Sequence, residues 1–365
     1  MKKFFFLFVS TGLFAASFAQ TNFTVIKNNP ATPVKNQANT GTCWSFSTTS
    51  LVESQTMKNN WGEFDLSEMF TVRNIYLEKA KNYVLRQGHA QFGEGGLGQD
   101  QIRAIEKYGA IPESVYSGLP AGKKSHDHQK LSSDLKNYLD SIIKLTPVPQ
   151  NWLEGYTDLL NATLGKPPAE FDYNGKILTP QSFAKNVLHF DANDYVMLTS
   201  FTHHPFYESF ILEVPDNFSN GAFYNLPVGE LIQVTKDALN KGYTISWDAD
   251  VSNKGFMPNK GVAEFFDTTG GVSEKNKELD WNAALRQTLF ENLTTQDDHL
   301  MHITGIEKSA DGKDFFIVKN SWGNIGPDKN GYINVSESYF GINTISLVVP
   351  KAAVSRALLD KLKVK

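Results

Sequence analysis

At 365 residues, with 41% hydrophobic, 20% charged and 12% aromatic side chains, the chain carries enough apolar mass for a large packed core, which excludes a disordered or fibrous protein. A formal net charge of -4 excludes a surface built to neutralise a phosphate backbone, so no nucleic-acid partner is expected. The single cysteine, Cys43, excludes an intramolecular disulfide.

In chain order, Lys2 and Lys3, the apolar run over residues 4–14 and the small residues around Ser17 and Ala19 read as a signal peptide over residues 1–19. A secreted or periplasmic location follows from it. The run is broken by polar residues and falls short of the roughly 20 apolar residues of a membrane helix, so no span is expected once the signal is removed. Residues 20–120 read as mainly helical. Asn39 and Gly41 make a turn, Thr42 can cap, and about four turns of helix follow from Cys43. Further helices are expected over residues 66–87 and, after the glycine cluster Gly93, Gly95, Gly96 and Gly98, over residues 99–108.

Residues 121–240 carry mixed signals: a helix over residues 132–142, a Pro-rich passage over 146–168, and strands over 195–201 and 209–214. They are too aromatic to stay solvated, so they read as a packed insertion. Residues 241–350 turn to strands. Two of them, over 299–307 and 314–319, flank Asp311-Gly312, a strong hairpin signal, and two more are expected over 331–335 and 344–349. An amphipathic helix over 351–365 closes the chain, with Val354, Leu358 and Leu362 on one face. Helices followed by strands imply an α+β fold with a cleft between the two parts.

The chemistry begins at Cys43. A thiol at a helix N-terminus meets partial positive charge that lowers its pKa and makes a nucleophile. It needs an imidazole to take its proton and a third group to orient that imidazole. The hairpin would bring His299 close to Asn320, in the order Cys, His, Asn. His302, three residues on in the same strand, should face the other way.

Gln37 and Cys43 in QANTGTCWSFS, then HLMHITGIE, then VKNSWG and NGYINVS together resemble the papain family of cysteine peptidases. The long insertion, the stretches DYVMLTSF and NLPVGELIQVTKDALNKGYTISWDADV, and the GYINVSESYF ending are most similar to its bleomycin hydrolase and aminopeptidase C branch. The resemblance implies a two-lobed papain-like α+β domain over residues 20–365. It implies Cys43 as nucleophile, His299 as base and acid, Asn320 as its orienting group and Gln37 in the oxyanion hole. Trp44 and Trp322 would support the site, with Trp322 shielding the His–Asn bond. Gly95 and Gly96 would bind substrate backbone, and Asp248 and Ala249 would line a side-chain pocket. No cofactor or metal is expected.

The activity implied is that of a thiol peptidase acting on peptides through an acyl-enzyme, and of an aminopeptidase within that class. A papain-like endopeptidase, an inactive peptide-binding relative and another Cys–His acyl-transfer enzyme are the alternatives. The branch is mostly cytosolic and ends in an arm whose terminal carboxylate meets the substrate amine, whereas this chain carries an export signal and ends in the basic KLKVK. A homo-oligomer is left open. His203 and His204 read as structural, because adjacent histidines on a strand diverge. The calcium-like start at Asp248, Asp250 and Ser252 fails at Asn253 and Asn259.

Overall fold

The computed structural model of the chain describes residues 23–120, 122–266 and 277–364; the signal peptide expected over residues 1–19 lies outside the described residues. Strand β1 (Thr24–Asn28) leads through a loop to α1 (Cys43–Lys58). This helix has no single apolar stripe because it is central. Trp44, Leu51 and Val52 enter a helical core, while its hydroxyl face meets the sheet. Ser47 Oγ donates to Met301 O at 2.6 Å, Ser47 and Thr48 both pair with Ser246 Oγ (2.8 and 2.9 Å), and Ser50 Oγ meets His302 Nδ1 at 2.9 Å. Thr42 precedes the helix as expected, but its hydroxyl pairs with Thr40 Oγ1 at 2.6 Å and does not cap.

Helix α2 (Glu68–Leu85) starts where Ser67 Oγ accepts from Phe70 N–H, and α3 (Gly98–Tyr108) follows the glycine cluster. The insertion then adds α4 (Gln129–Ile142) and α5 (Trp152–Leu164). Helix α5 falls inside the Pro-rich passage, where no helix was expected. Pro147 and Pro149 precede it and Pro167 and Pro168 follow it, so none has to surrender an internal N–H. Its Tyr156, Leu160 and Leu164 join Leu131, Leu135 and Leu139 of α4 in the helical core. Burial of such side chains contributes about 1.5–3 kcal/mol each.

A hairpin of β2 (Phe171–Tyr173) and β3 (Lys176–Leu178), helix α6 (Pro180–Asn186), strands β4 (Tyr195–Thr199), β5 (Ser209–Ile211) and β6 (Ala222–Asn225), and helix α7 (Val228–Asn240) complete the middle of the chain. The last part supplies β7 (Ile245–Ala249), β8 (Phe256–Met257), β9 (Val262–Ala263), α8 (Ala283–Glu291), β10 (His299–Lys308), β11 (Asp314–Lys319), β12 (Tyr332–Ser336), α9 (Glu337–Asn343), β13 (Thr344–Pro350) and α10 (Arg356–Lys361).

The main sheet runs β5-β6-β4-β13-β7-β10-β11-β12-β9-β8, with β1 added on β10. β10 and β11 pair antiparallel around the expected Asp-Gly turn. The second core, with Leu231, Trp247, Ile303, Phe316, Phe340 and Leu347, lies between the sheet and α7 and α9. The C-terminal helix is shorter than expected: residues 351–353 form a single tight turn after Pro350, and Ser355 caps a new start. Val354 and Leu362 are buried in the second core as read, but the buried leucine of the helix is Leu359, with Leu358 only partly buried against it.

Candidate active site

Three backbone devices assemble the site. The first is the start of α1, which holds Cys43. The second is the β10–β11 hairpin: His299 opens β10 and Asn320 follows the last residue of β11, so antiparallel pairing brings them together. The third zips the loop before α1 to the segment after β11, since Gln37 N–H donates to Ser321 O at 2.8 Å and Gly323 N–H to Lys35 O at 3.1 Å.

His299 Nε2 lies 2.8 Å from Asn320 Oδ1. The same oxygen accepts Ser321 N–H at 2.7 Å, which fixes the orientation of the amide. The Trp322 indole lies over this bond, its ring 4.6 Å from that of His299 and tilted by 32°. His302 is on the opposite face of the strand, bonded to Ser50 on α1 and close to Lys319. Of the two histidines, only His299 meets Asn320.

Gln37 is oriented at both ends. Its Oε1 accepts from Ser321 Oγ at 2.6 Å, and one N–H of its amide donates to Thr40 O at 2.6 Å, leaving the second N–H uncommitted. Trp44 is fully buried and donates from Nε1 to Glu94 O at 3.0 Å, tying the glycine loop to α1.

The electrostatics differ from the expectation of an activated thiolate. Burial pushes the Cys43 thiol up to about 12; the Leu300 N–H within reach of it opposes this, and Asp297, Asp248 and Asp216 add to it. Burial lowers the His299 ring to about 4, with the Asn320 bond acting in the opposite direction. In this arrangement both groups are neutral. The helix N-terminus does not win, because desolvating a full charge outweighs the partial charges of a helix end. Among the described contacts no hydrogen bond joins the Cys43 thiol to the His299 ring; the thiol faces the Leu300 amide instead.

The glycines and the β7 pair divide. A Cβ on Gly95 would strike the Asp216 carboxylate and force it to move, and one on Gly96 would come 3.1 Å from the Trp44 indole, a close contact. Asp248 reaches toward Ser346 and the Cys43 neighbourhood. Ala249 does not line the cleft as expected. Strand alternation turns it to the other face of β7, where it is wholly buried in the second core.

Sequence reasoning missed Asp216, Asp297 and Lys79. Asp216 and Asp297 act on Cys43, and Lys79 donates to Gly93 O at 2.9 Å and to Gly95 O, bracing the glycine loop from beneath. No motif marks them, although Asp297 stands only two residues before His299. The histidine argument also needs correction. His203 and His204 lie in a turn between β4 and β5, not on a strand, and converge on Glu213, with Nε2 atoms 3.3 and 2.7 Å from its carboxylate oxygens. Their ligand atoms and that of Glu213 lie within 4.8 Å of one another, an arrangement able to hold a metal ion. The calcium-like start is spent internally: Asp250 accepts from Ser252 and from Gln296 N–H. Among the described residues no helix is long and apolar enough to cross a membrane.

Comparison with known proteins gives the same picture. The Peptidase C1-like family model matches residues 89–365, and that of the papain family cysteine proteases matches residues 19–132. Aminopeptidase C of Lactococcus lactis subsp. cremoris is 24% identical, over 91% of this chain and 84% of its own length. Bleomycin hydrolase of Gallus gallus is 23% identical, over 90% of this chain and 82% of its own. The crystal structure of PepW from Lactobacillus rhamnosis superposes with a TM-score of 0.75 at 21% identity, covering 94% of this chain and 85% of that one, in keeping with the papain-like α+β fold. With a family model spanning most of its length, the chain belongs to the Peptidase C1-like family of cysteine peptidases.

Proposed function

We propose that the chain is an exported aminopeptidase that hydrolyses peptides through Cys43, His299, Asn320 and Gln37. The observation that carries this reading is the His299–Asn320 bond under Trp322, with a thiol at the start of α1 that faces the amide of the next residue, Leu300. Because Asn320 Oδ1 only accepts, Nε2 holds the ring proton and Nδ1 is the free base. On substrate binding the Cys43 thiol turns from the Leu300 amide to Nδ1, gives up its proton and attacks the scissile carbonyl. The Cys43 N–H and the uncommitted N–H of Gln37 would stabilise the oxyanion, a contribution of about 3 kcal/mol per donor. His299 then protonates the leaving amine, leaving a thioester. A water molecule, deprotonated by Nδ1, hydrolyses the thioester and regenerates the thiol.

The aminopeptidase reading draws on the named relatives. Export draws on residues 1–19 alone. An endopeptidase is the second reading, favoured by the seating of residues 351–364, which pack on the second core and on α7, where Lys241 Nζ donates to Ala353 O at 2.8 Å. Product analysis of a peptide series with free and acetylated N-termini tests both. Stepwise loss of N-terminal residues, abolished by Cys43→Ser, supports the first reading. Internal cuts indifferent to acetylation would replace it with the second, and no hydrolysis of any peptide would overturn both.

A further inference from the structure

The cleft holds three carboxyl groups that no step of hydrolysis uses. Asp248 is 1% exposed; its Oδ2 accepts from Ser346 Oγ at 3.0 Å, while its Oδ1 is sealed from solvent without a donor. Asp297 Oδ2 is sealed and without a donor as well, and the two carboxyls are close enough to share one proton. Asp216 lies against the glycine loop. It rests on Gly95, and its Oδ1 accepts from Gln91 Nε2 at 2.9 Å. All three act on Cys43.

The nearby cation among the described residues is Lys79, whose charge is felt by Asp216 and Asp297, but its Nζ donates to the carbonyls of Gly93 and Gly95. Among the described residues no ion pair joins Asp216, Asp248 or Asp297 to a lysine or arginine. Buried carboxylates are retained at a cost unless a cation or donors complete them, and here two oxygens lack donors beside the nucleophile.

Residues 351–364 pack on the second core and on α7. The position of the carboxyls favours an amine close to the scissile bond: Asp248 is the cross-strand partner of Leu300, whose N–H faces the thiol. We propose that Asp248, Asp297 and Asp216 form the pocket for the ammonium group of the substrate, its three N–H donors meeting the Asp248 and Asp297 oxygens that lack one. The inference rests on the peptidase reading and gives it a specificity device.

Binding tests it without turnover. Alanyl-alaninamide, its N-acetyl form and N-acetyl-lysyl-alaninamide are titrated calorimetrically into the full chain carrying Cys43→Ser, alone and combined with Asp248→Asn or Asp216→Asn. The free amine is expected to bind at least about tenfold tighter than the acetylated peptide, and each Asn variant to narrow that ratio toward one. If the acetylated lysyl peptide binds as tightly as the free amine and loses affinity with Asp248→Asn, the ammonium comes from a side chain and the pocket stands. Equal binding of free and acetylated alanyl peptides with no lysyl preference, a preference that survives both substitutions, or no binding of any peptide would overturn it. Asp216→Asn lies at the rim, so a folding failure of Asp248→Asn leaves the question decidable. Failure of the peptidase reading would appear separately, as absence of hydrolysis by the unsubstituted chain.

Discussion

His299 Nε2 and Asn320 Oδ1 lie 2.8 Å apart, and the oxygen is held in place by the N–H of Ser321. An acceptor so fixed selects the imidazole tautomer with its proton on Nε2, which leaves Nδ1 able to take a proton. Cys43→Ser and His299→Ala are each expected to lower kcat by about four to six orders of magnitude, and the double variant by little more, since the two act as one unit. Asn320→Ala should cost about two orders, because the ring keeps its place under Trp322 but loses its tautomer preference. Steady-state kinetics on the four variants check this ordering.

His302 is expected to be structural. His302→Ala removes the Ser50 partner from the seam between α1 and the sheet and should destabilise the chain by about 1–3 kcal/mol. Denaturant unfolding measures this. Turnover per alkylatable Cys43 should stay within about threefold of the parent; a loss comparable to that of His299→Ala would reverse the assignment of the base.

The pH dependence follows from the neutral pair. The His299 ring is lowered to about 4, so it becomes charged and unable to accept the thiol proton only as the pH falls through that value. With an N-acetylated substrate, whose own amine does not titrate, the acid limb of kcat/KM should have its midpoint nearer 4 than 6.5. A midpoint at or above 6.5 would mean that the imidazole is more solvated in the working enzyme than in this structure.

Gly95→Ala would drive a methyl group into the Asp216 carboxylate. Displacing that group should raise KM by about tenfold or more for peptides with a free N-terminus, with a smaller effect on kcat. Comparison of the two constants across the free and acetylated series checks it.

Glu307 offers a stability test away from the site. Burial raises it to about 7, and its Oε1 has no donor. A carboxyl whose folded pKa lies above its unfolded value stabilises the fold at low pH and loses that contribution as pH rises from about 4.3 through 7. Glu307→Gln should therefore gain about 1–2 kcal/mol at pH 8 and nothing at pH 4, read from thermal unfolding at the two pH values.

The residues proposed as nucleophile, base and orienting group were legible as candidates because each sits in a local pattern: a helix start after a turn, a strand pair around Asp-Gly, and a motif. Asp216 was not legible, because it lies 81 residues before Asp297 and meets it only through the packing of an irregular segment against the glycine loop. Ala249 was misplaced by treating two neighbours on a strand as one wall, when alternation sends them to opposite faces. Helix α5 was hidden by prolines that frame it and never enter it. The neutral state of Cys43 was not legible either, since helix position is written locally while desolvation depends on everything packed around the thiol.

The hydroxyl seam under α1 bears on how finely the site can be aligned. A contact made of methyl groups is non-directional, so a helix resting on one can slide or turn by fractions of an ångström at little cost. Ser47, Thr48 and Ser50 instead meet Ser246, Met301 O and His302 through bonds that weaken steeply with angle and distance, and those partners belong to β7 and to β10, the strand that begins with His299. The helix bearing the thiol is thus keyed to the strand bearing the base at discrete points. Across such a seam, alignment is all or nothing rather than graded: a lineage that replaced these hydroxyls with alanines would strand their buried partners and let the thiol and the imidazole drift out of register.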